Sequence, residues 1–532
     1  MANSTDYVVV GAGSAGCVVA TRLAEAGYRV TLLEAGPKDR HPMIHIPAGI
    51  RSLISNPAVN YNYTSEPEPG TDERRIAWPR GRVLGGSSSI NGMLYVRGNP
   101  ADFDTWSQMG CRGWSYDEVL PLFKKSERFD DGEDSYRGRE GVLRVEKYRT
   151  ILPATHRFVE AAQQAGFDFS DDLNGAQPEG VGYSQMTRRG RLRASTARTF
   201  LKSAQHRQNL EVRSNCIATE LMLDAGRCIG VRFQENGTPQ ELRVDGEVIV
   251  SSGAVNSPHL LQVSGIGPAA HLEATGIAVK HDLEGVGQNL QDHYVIRVAH
   301  RLRAGELTIN QVSRPPRVFY EALRWGLFGD GALTFGVTSA QVFCRSREGL
   351  ASPDLQLLFT PASYDQSRFG VFEKDPGACV AVCPVRPQSR GSIMAESADP
   401  LVRPVIRPGY LSADDDYRVL LAGIAHTRRI FSSDAFAGIS EGEIAPGASV
   451  QTEDDLKQFA RTHGASLYHP VGTCKMGEDP QAVVDSRLRV HGVQCLRVID
   501  ASVMPVLTTG NTNAPTIMIG EKGAQMIQQD AA

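Results

Sequence analysis

The chain opens with two short apolar runs on either side of a helix-forming stretch. Residues 7–10 are apolar and precede a glycine, a pattern typical of a buried parallel strand. Residues 15–26 are rich in helix formers, and Gly27 follows as a C-terminal cap. Residues 29–33 form the second apolar run, which ends at Glu34. This order predicts a strand–helix–strand unit of about 30 residues.

Beyond this unit the pattern is less regular. Residues 37–80 contain many Pro, Asn and Tyr without clear periodicity, which predicts a long excursion across the surface. Residues 112–128 return to a helical pattern with Ser115 as N-cap, and residues 129–148 are charged and contain Gly, as in a loop. Three strands are predicted next, at residues 210–217, 228–233 and 246–251.

Longer helical stretches distinguish residues 300–460 from the rest of the chain. They lie at residues 317–328 and 413–431, and strand-like apolar runs lie at 354–359 and 379–385. The last residues return to a strand at 496–500 and to a closing helix after Asn513.

This change in the length and kind of the predicted elements indicates two domains. We expect a discontinuous nucleotide-binding domain of residues 1–155, 205–300 and 465–532. Residues 156–204 and 301–464 would then form a substrate-binding domain.

Composition indicates an ordinary globular protein, with 41% hydrophobic and 22% charged residues in 532. Lys and Arg total 56 against 60 Asp and Glu, so the net charge of −4 argues against nucleic acid and against a polybasic membrane-binding surface. The apolar runs are far shorter than the roughly 18 residues that a membrane-spanning helix needs. We therefore expect no integral membrane segment.

The nine cysteines are dispersed and include no CxxC pair, which predicts free thiols in a reducing compartment. Cys and His do not cluster at ligand spacing, so no metal site is expected. The first residues lack the basic and apolar regions of a signal peptide. These features predict a cytoplasmic protein and leave peripheral attachment to a membrane open.

Residues 11–16 read Gly-Ala-Gly-Ser-Ala-Gly, a GxGxxG motif between the first strand and the helix. Gly11 permits a tight turn, Gly13 lets the backbone approach a pyrophosphate, and Gly16 lets the helix pack on the strand. The helix N-terminus offers free N–H groups to phosphates. Glu34 can accept hydrogen bonds from both ribose hydroxyls of an adenosine, which disfavours NADP. The motif alone also fits a glycine-rich turn without a ligand; with Glu34 it predicts a dinucleotide site for NAD or FAD.

A second glycine-rich segment favours FAD. Residues 80–92 contain four glycines and three serines, which supply many unblocked N–H groups and hydroxyls for the rest of a large dinucleotide. A surface loop is the alternative interpretation of this segment.

These motifs resemble those of the glucose-methanol-choline (GMC) oxidoreductase family. Residues 6–36 match its FAD fingerprint, and residues 80–98 and 252–267 match its two signatures. Further matching blocks follow in the family's order at residues 285–293, 469–476, 496–502 and 510–515. The resemblance implies an α/β flavoprotein with a Rossmann-like FAD-binding domain and a substrate-binding domain of antiparallel sheet plus helices.

The resemblance also implies which residues contact FAD. Those expected at its ADP half are Gly11, Gly13, Ser14, Ala15, Gly16, Glu34 and Ala35, with Ile217 near the adenine. Those expected along the pyrophosphate and flavin are Arg82, Val83, Gly86, Asn91, Gly92, Met93 and Leu94. Those expected at the ribityl–flavin end are Asp500, Ala501, Asn511 and Thr512. Ile90 occupies the position where some members bond FAD through His, so we expect non-covalent FAD.

Two residues are implied in catalysis. His469 lies in the family's catalytic-histidine motif, and an imidazole suits removal of a hydroxyl proton near neutral pH. Asn513 is assigned to the family's second active-site position, from which an amide can donate to the substrate oxygen. Hydride would pass from the alcohol to flavin N5. His293 is expected to serve packing or hydrogen bonding, and Tyr468 to form a pocket wall.

The expected reaction is oxidation of an alcohol, most simply a primary one, with electrons passed to a quinone or another carrier. An oxidase that uses O₂ and a hydroxynitrile lyase on the same fold are the alternatives. A photodecarboxylase and a non-catalytic FAD-binding protein fit less well, because His469 and Asn513 are both present. Polyols, aromatic alcohols and choline all remain open as substrates, in a pocket expected between residues 300 and 370.

Overall fold

Two large sheets organise the chain. In the computed structural model, which describes residues 5–365 and 371–531, the strands are β1 Thr5–Val10, β2 Val30–Glu34, β3 Tyr63–Thr64, β4 Ala77–Trp78, β5 Glu127–Arg128, β6 Leu143–Lys147, β7 Gly180–Tyr183, β8 Gln185–Arg189, β9 Leu192–Arg193, β10 Leu210–Ser214, β11 Cys216–Asp224, β12 Arg227–Glu235, β13 Thr238–Val250, β14 Ile266–Gly267, β15 His281–Asp282, β16 Tyr294–Leu302, β17 Ala340–Cys344, β18 Leu355–Thr360, β19 Gly377–Pro384, β20 Ser392–Met394, β21 Val405–Arg407, β22 Ser440–Ala445, β23 Ala465–Ser466 and β24 Leu496–Val498.

Helices cover and connect these sheets. The α-helices are α1 Ser14–Glu25, α2 Pro42–His45, α3 Ile50–Leu53, α4 Pro100–Gln108, α5 Tyr116–Ser126, α6 Pro153–Gln164, α7 Lys202–Ala204, α8 Gly253–Val263, α9 Ala269–Ala274, α10 Ile309–Val312, α11 Arg317–Phe328, α12 Asp414–Phe431, α13 Asp434–Ala437, α14 Glu453–His463 and α15 Asn513–Asp530.

The first sheet has the strand order β10-β2-β1-β13-β12-β11, with β24 also paired to β13. Its centre is parallel: Val9 stands opposite Leu32 of β2 and Ile249 of β13. All three side chains are buried, as the continuous apolar runs predict for a parallel strand covered on both faces. The strands β11, β12 and β13 extend the sheet as an antiparallel meander.

The turn after β1 depends on glycine. Gly11 has φ +104°, and a Cβ there would stand 2.5 Å from the carbonyl oxygen of Ser251. A Cβ on Gly16 would stand 1.9 Å from the carbonyl oxygen of Gly11, so α1 can approach β1 this closely only through glycine. The strand–helix–strand unit predicted from the sequence is confirmed by β1, α1 and β2.

The second sheet is antiparallel, with the order β22-β16-β19-β18-β17-β7 and with β23 paired to β16. Helices α6 and α12 pack on it through buried side chains such as Phe158 and Leu420. The α/β class, with a Rossmann-like part and an antiparallel sheet plus helices, is confirmed.

The predicted domain boundaries cut through two elements. Residue 300 lies inside β16, whose backbone pairs with β19 and β22 along residues 296–302. Residue 155 lies inside α6, which belongs to the core of the second sheet. The chain therefore enters β16 of the second sheet at Tyr294, and the division into two domains stays a prediction.

Several local predictions were correct, whereas other elements, among them the helices α6, α8 and α14, were not predicted. Helices α11 and α12 lie where the periodicity predicts them, and α5 begins after Ser115 with a capping box. The helix α4 was missed, and β6 lies within the stretch predicted as a loop. Asn99 caps α4 and Pro100 occupies its first turn, a signal that the sequence did contain.

None of the helices in residues 5–365 and 371–531 has the length and apolar character needed to cross a bilayer. In the same residues no group of three or more His, Cys, Asp and Glu is placed to hold a metal ion. The nine cysteines are free thiols, and eight of them are buried.

Candidate active site

A cavity of 1160 Å³ lies between the two sheets. It begins beyond the carboxyl ends of β1, β2 and β13, where Val10, Glu34 and Ser251 line it, and the second sheet contributes Thr360 and Ala381. Open parallel sheets bind ligands at this edge, because strand ends and helix N-termini converge there. Ligand pockets usually measure about 300–1,000 Å³, so this one has room for a large cofactor and a small substrate together.

Most residues predicted for the site converge on this cavity. Its lining includes Gly11, Gly13, Ser14, Ala15, Glu34, Ala35, Arg82, Gly86, Asn91, Gly92, Met93, Leu94, Ile217, His469, Asp500, Ala501, Asn511, Thr512 and Asn513. They come from both ends of the chain, from Gly11 to Asn513, and the first sheet and α15 bring them together.

Two of the predicted cofactor residues do not line the cavity. Gly16 faces Gly11 and serves the packing of α1 on β1. Val83 is buried behind the wall, where its side chain packs in an apolar cluster with Ile44, Leu53, Val59 and Ile90. Both residues support the cavity wall in this structure, and their contact with FAD stays a prediction.

Glu34 stands at the end of β2 with its carboxylate buried. One carboxylate oxygen accepts from the backbone N–H of Ala12 at 3.0 Å and the other from Gly36 at 2.8 Å. Burial raises its pKa to about 7, and the two N–H donors oppose that shift. Two further donors, such as a pair of ribose hydroxyls, would favour the charged form of this carboxylate.

On the side of the cavity lined by the glycine motifs, the backbone has free space beside it and two buried side-chain nitrogens lack hydrogen-bond partners. A Cβ on Gly13 would meet only the carbonyl oxygen of Ser251, at 4.0 Å, and one on Gly253 would meet nothing within 4 Å. Nε of Arg82 and Nε2 of His259 are buried and have no hydrogen-bond partner among the described residues. Buried polar atoms are normally paired, so these groups fit a bound polar molecule such as a pyrophosphate-containing cofactor.

Several lining residues were not singled out from the sequence. They lie in the glycine- and serine-rich segment and in the second signature, which were the available signals: Arg80, Gly81, Ser87, Ser252, Gly253 and Asn256. Residues 37–80, predicted to cross the surface, instead cover the cavity with Ile50, Ile54 and Tyr61.

His469 is the imidazole at the cavity wall, and it is only 8% exposed. Its Nδ1 lies 2.9 Å from Nδ1 of His293, which is fully buried. Burial lowers the pKa of His469 well below 6.5, with smaller contributions from His293 and Arg80. Burial also lowers the pKa of His293 to about 4. Both rings are therefore neutral at pH 7.

The contacts of the two neutral rings assign their protons. Nε2 of His293 lies 3.3 Å from the carbonyl oxygen of Val385, which can only accept, so this nitrogen carries the proton. Nδ1 of His293 is then an acceptor and takes a hydrogen bond from Nδ1–H of His469. This leaves Nε2 of His469 with a lone pair at the cavity wall, where it accepts a hydrogen bond from the Asn511 amide.

The amide beside this lone pair belongs to Asn511, not to Asn513. Nδ2 of Asn511 lies 3.1 Å from Nε2 of His469. Oδ1 of Asn513 instead accepts from the Ser14 hydroxyl at 2.8 Å, at the first residue of α15. Asn513 was predicted to donate to the substrate oxygen, and the structure instead places the Asn511 amide beside His469. The reason is local: residue 511 lies in the turn before α15, whereas residue 513 has already entered the helix.

The backbone around His469 is held by a buried carboxylate. Asp292 Oδ1 accepts from the N–H of His469 at 2.7 Å, and Oδ2 accepts from the hydroxyls of Ser466 and Tyr410. Tyr468 has φ +68°, an uncommon conformation for a non-glycine residue, and its carbonyl oxygen accepts from Arg80. The predicted wall residue Tyr468 does line the cavity. These bonds fix the loop that carries the imidazole.

The cavity wall on the second-sheet side is largely apolar, and Arg297 contributes a cation to it. Residues from the predicted range 300–370 line it, among them Val318, Phe335, Val337, Leu358 and Tyr364; residues 366–370 lie outside the described residues. Others come from beyond that range: Arg297, Cys379, Ala381 and Leu467. The Arg297 guanidinium lies 5.5 Å from the centre of the Tyr364 ring.

Comparison with known proteins decides the family. Residues 5–295 match the N-terminal part of the GMC oxidoreductases, and residues 387–520 match their C-terminal part. The chain belongs to the GMC oxidoreductase family. The resemblance of its motifs is thus confirmed, and the chain is an oxidoreductase acting on CH–OH groups.

Named relatives of this GMC oxidoreductase cover its full length. It is 44% identical to the oxygen-dependent choline dehydrogenase of Sinorhizobium medicae, over 98% of this chain and 95% of that protein. It is 41% identical to an alcohol dehydrogenase (acceptor) of Pseudomonas putida, with the same coverage. The crystal structure of pyridoxine 4-oxidase from Mesorbium loti superposes with a TM-score of 0.90 at 29% identity, covering 99% of this chain and 100% of that one.

Proposed function

We propose that this protein is an FAD-dependent alcohol dehydrogenase that oxidises a primary alcohol to the aldehyde, with His469 as general base. The observation that carries the proposal is the lone pair of His469 Nε2 at the cavity wall, which the contact with His293 leaves without a proton and which accepts from the Asn511 amide. A neutral imidazole next to a hydrogen-bond donor is the arrangement that alcohol deprotonation requires.

The cofactor we propose is non-covalent FAD. Glu34 would hold the adenosine ribose, the N-terminus of α1 and the Arg82 guanidinium the pyrophosphate, and the segment 91–94 the flavin end. FAD, when bound, supplies the acceptor for the hydride. Ile90 is a buried apolar residue at the cavity wall and offers no nucleophile for a covalent bond.

The chain's own residues would handle the proton and the charge. Nε2 of His469 takes the hydroxyl proton, and Nδ2 of Asn511 donates to the oxygen as negative charge develops on it. The Nδ1–H of His469 remains bonded to His293, so the ring keeps its orientation when it becomes charged. Burial excludes water and makes both interactions stronger than in solution.

The substrate we propose is an uncharged alcohol with an apolar body. Leu94, Val337 and Leu358 line the cavity and belong to one apolar cluster. Arg297 lines the same cavity, and its charge opposes the burial that raises the pKa of Tyr468, beside His469. A fixed cation at that position repels a quaternary ammonium group, so choline fits less well than an uncharged alcohol.

The electron acceptor in this proposal is a quinone or another carrier, and the location is cytoplasmic. The free state of the nine cysteines supports a reducing compartment. An oxidase would share the reduction of the flavin by the alcohol and would differ only in using O₂ to reoxidise the flavin.

The experiment is an anaerobic screen of alcohols with the flavin-loaded protein, read as loss of oxidised-flavin absorbance. Bleaching by primary alcohols supports the proposal, whereas a hydroxynitrile lyase would leave the flavin oxidised. Peroxide formation in air, with and without an artificial quinone, separates dehydrogenase from oxidase. Acid precipitation should release all flavin into the supernatant; flavin in the pellet would contradict non-covalent binding.

A further inference from the structure

The helix α11, Arg317–Phe328, exposes an unusual amount of apolar surface. Ten large apolar side chains are exposed among the described residues. Five of them lie in this helix: Phe319, Tyr320, Leu323, Leu327 and Phe328. They are 58–76% exposed, whereas the next most exposed, Leu401, is at 50%. Single exposed apolar side chains are normal, but a cluster of this kind marks an interaction surface.

These side chains share one face of the helix. At about 100° per residue, Phe319, Tyr320, Leu323 and Leu327 fall within an arc of about 100°, with Phe328 at the C-terminal end. The helix is 12 residues long, which corresponds to about 18 Å, so it can lie in a membrane interface but cannot span a bilayer. We call this outward surface the α11 face.

The opposite side of the same helix borders the active-site cavity. Val318 and Glu321 line the cavity, and Glu321 accepts a hydrogen bond from the N–H of Ala332 at 2.6 Å. Whatever covers the α11 face therefore also lies next to the cavity.

Cations without carboxylate partners border the α11 face. Arg317 is exposed, and no ion pair involves it among the described residues. Arg191 donates to the carbonyl oxygen of Gly326 and lies over the Trp325 ring, and Arg314 donates to the carbonyl oxygen of Glu373. The chain as a whole carries a net charge of −4, so these arginines are a local concentration of positive charge.

We propose that the α11 face docks on an anionic lipid bilayer. Apolar side chains flanked by arginines form the pattern by which interfacial helices bind membranes, with the apolar face below the headgroups and the cations among the phosphates. Docked in this way, the protein holds its cavity against the bilayer. This goes beyond the proposed function, because binding to lipid does not require turnover.

The test is sedimentation of the flavin-loaded protein with vesicles. One set is phosphatidylcholine alone, and the other contains about one third phosphatidylglycerol. We expect the protein to bind the anionic vesicles, and the variant Phe319→Ser/Leu323→Ser/Leu327→Ser to lose about tenfold or more of that binding. The matched control is Met109→Ser/Phe169→Ser, which removes exposed apolar side chains elsewhere and should bind as the wild type does.

A charge variant and a spectroscopic probe make the test specific. Arg317→Glu should weaken binding to the anionic vesicles, whereas Arg157→Glu, the same change on α6, should not. Tyr320→Trp places an indole on the α11 face, whereas Trp78, Trp106 and Trp114 are buried, so brominated lipids should quench the fluorescence of this variant. The parent protein, whose Trp325 lies on the opposite side of α11 against Arg191, should be quenched much less.

Two results would overturn the proposal. One is equal binding of the wild type and the α11 variant to anionic vesicles. The other is a dimer in light scattering that the α11 variant dissociates, because a second copy of the chain would then be what covers the face. Thermal unfolding of each variant reports its folding independently of enzymatic activity, so failure of the proposed function and failure of docking are distinguishable.

Discussion

The Nδ1 atoms of His293 and His469 lie 2.9 Å apart in a buried contact, so one ring must donate and the other accept. The carbonyl oxygen of Val385 decides which ring donates. It accepts a hydrogen bond from Nε2–H of His293, so Nδ1 of His293 is the acceptor. His293 is thus the positioning residue for the proposed base. The two residues are 176 positions apart in sequence.

Replacing His293 tests this relationship. His293→Asn keeps an oxygen acceptor near the position of Nδ1, whereas His293→Leu removes it. We expect the Leu variant to lose kcat on the order of 10²-fold, as when the group that orients a histidine is removed elsewhere, and the Asn variant to retain most of its activity. Turnover at saturating alcohol measures the difference; equal losses in both variants would indicate a merely structural role.

Removing the proposed base should stop chemistry without releasing the cofactor. His469→Ala is expected to lower kcat by about 10²–10⁴-fold, the usual range for general-base catalysis. Flavin content should stay at the wild-type level, because the dinucleotide is held by other residues. His206→Ala, an exposed histidine, is the control. A His469 variant with normal flavin reduction would refute the mechanism.

The two asparagines near α15 should differ sharply. Asn511→Ala is expected to lower kcat by about 10²–10³-fold, since it removes the donor to the developing alkoxide. Asn513→Ala should have a much smaller effect, because its side-chain oxygen is already bonded to Ser14. Steady-state kinetics of both variants with one alcohol provide the comparison. The reverse ranking would restore Asn513 as the catalytic donor.

Arg297 should discriminate against cationic substrates. We expect choline to give a kcat/KM at least about tenfold below that of 1-butanol, which corresponds to about 1.4 kcal/mol. Arg297→Met should narrow this gap, mainly by improving choline. Arg301→Met is the control, because Arg301 lies on the same strand but pairs with Glu373. A wild-type preference for choline would contradict the proposed substrate class.

The buried imidazoles predict how pH acts. His469 works as a base when neutral, and its lowered pKa keeps it neutral below 6.5, so kcat/KM should hold its plateau to below that pH. Stability behaves differently. His293 has a pKa of about 4 in the folded state and near 6.5 when unfolded, so the unfolded state binds more protons in between.

The free energy of unfolding should therefore decrease as pH decreases from 6.5 towards 4, by about 1.4 kcal/mol per pH unit for this group alone. Urea unfolding between about pH 7 and pH 5 measures the slope. In His293→Asn the slope should be shallower, and an unchanged slope would mean that His293 is already protonated in the folded state.

Much of the first sheet could be predicted from the sequence, because local signals suffice there. The apolar run of β1, the glycines that follow and Glu34 lie within one unit of adjacent residues, so spacing alone places them together. The longest helices also show their periodicity directly. Short elements such as β6 depend on pairing with a distant strand, β8, and carry no such signal.

The fine geometry of the site could not be predicted in this way. Asn511 and Asn513 are both asparagines near the start of one helix, and only the position of the helix start decides which one faces His469. His293 immediately precedes β16 and His469 lies just after β23, so the pairing of these two strands in the second sheet brings the two histidines together. Nothing in either local sequence indicates that contact.

The last strand of the first sheet has a consequence for biosynthesis. Leu496–Val498 adds to β13 from the far end of the chain, and the Arg22 guanidinium in α1 pairs with the buried Glu521 in α15. A nascent chain on the ribosome therefore exposes an unfinished sheet edge, and Arg22 lacks its buried partner Glu521, until almost the whole polypeptide has emerged. Folding of the dinucleotide half is consequently a late, largely post-translational event, and truncation before residue 496 should leave a chain prone to aggregation.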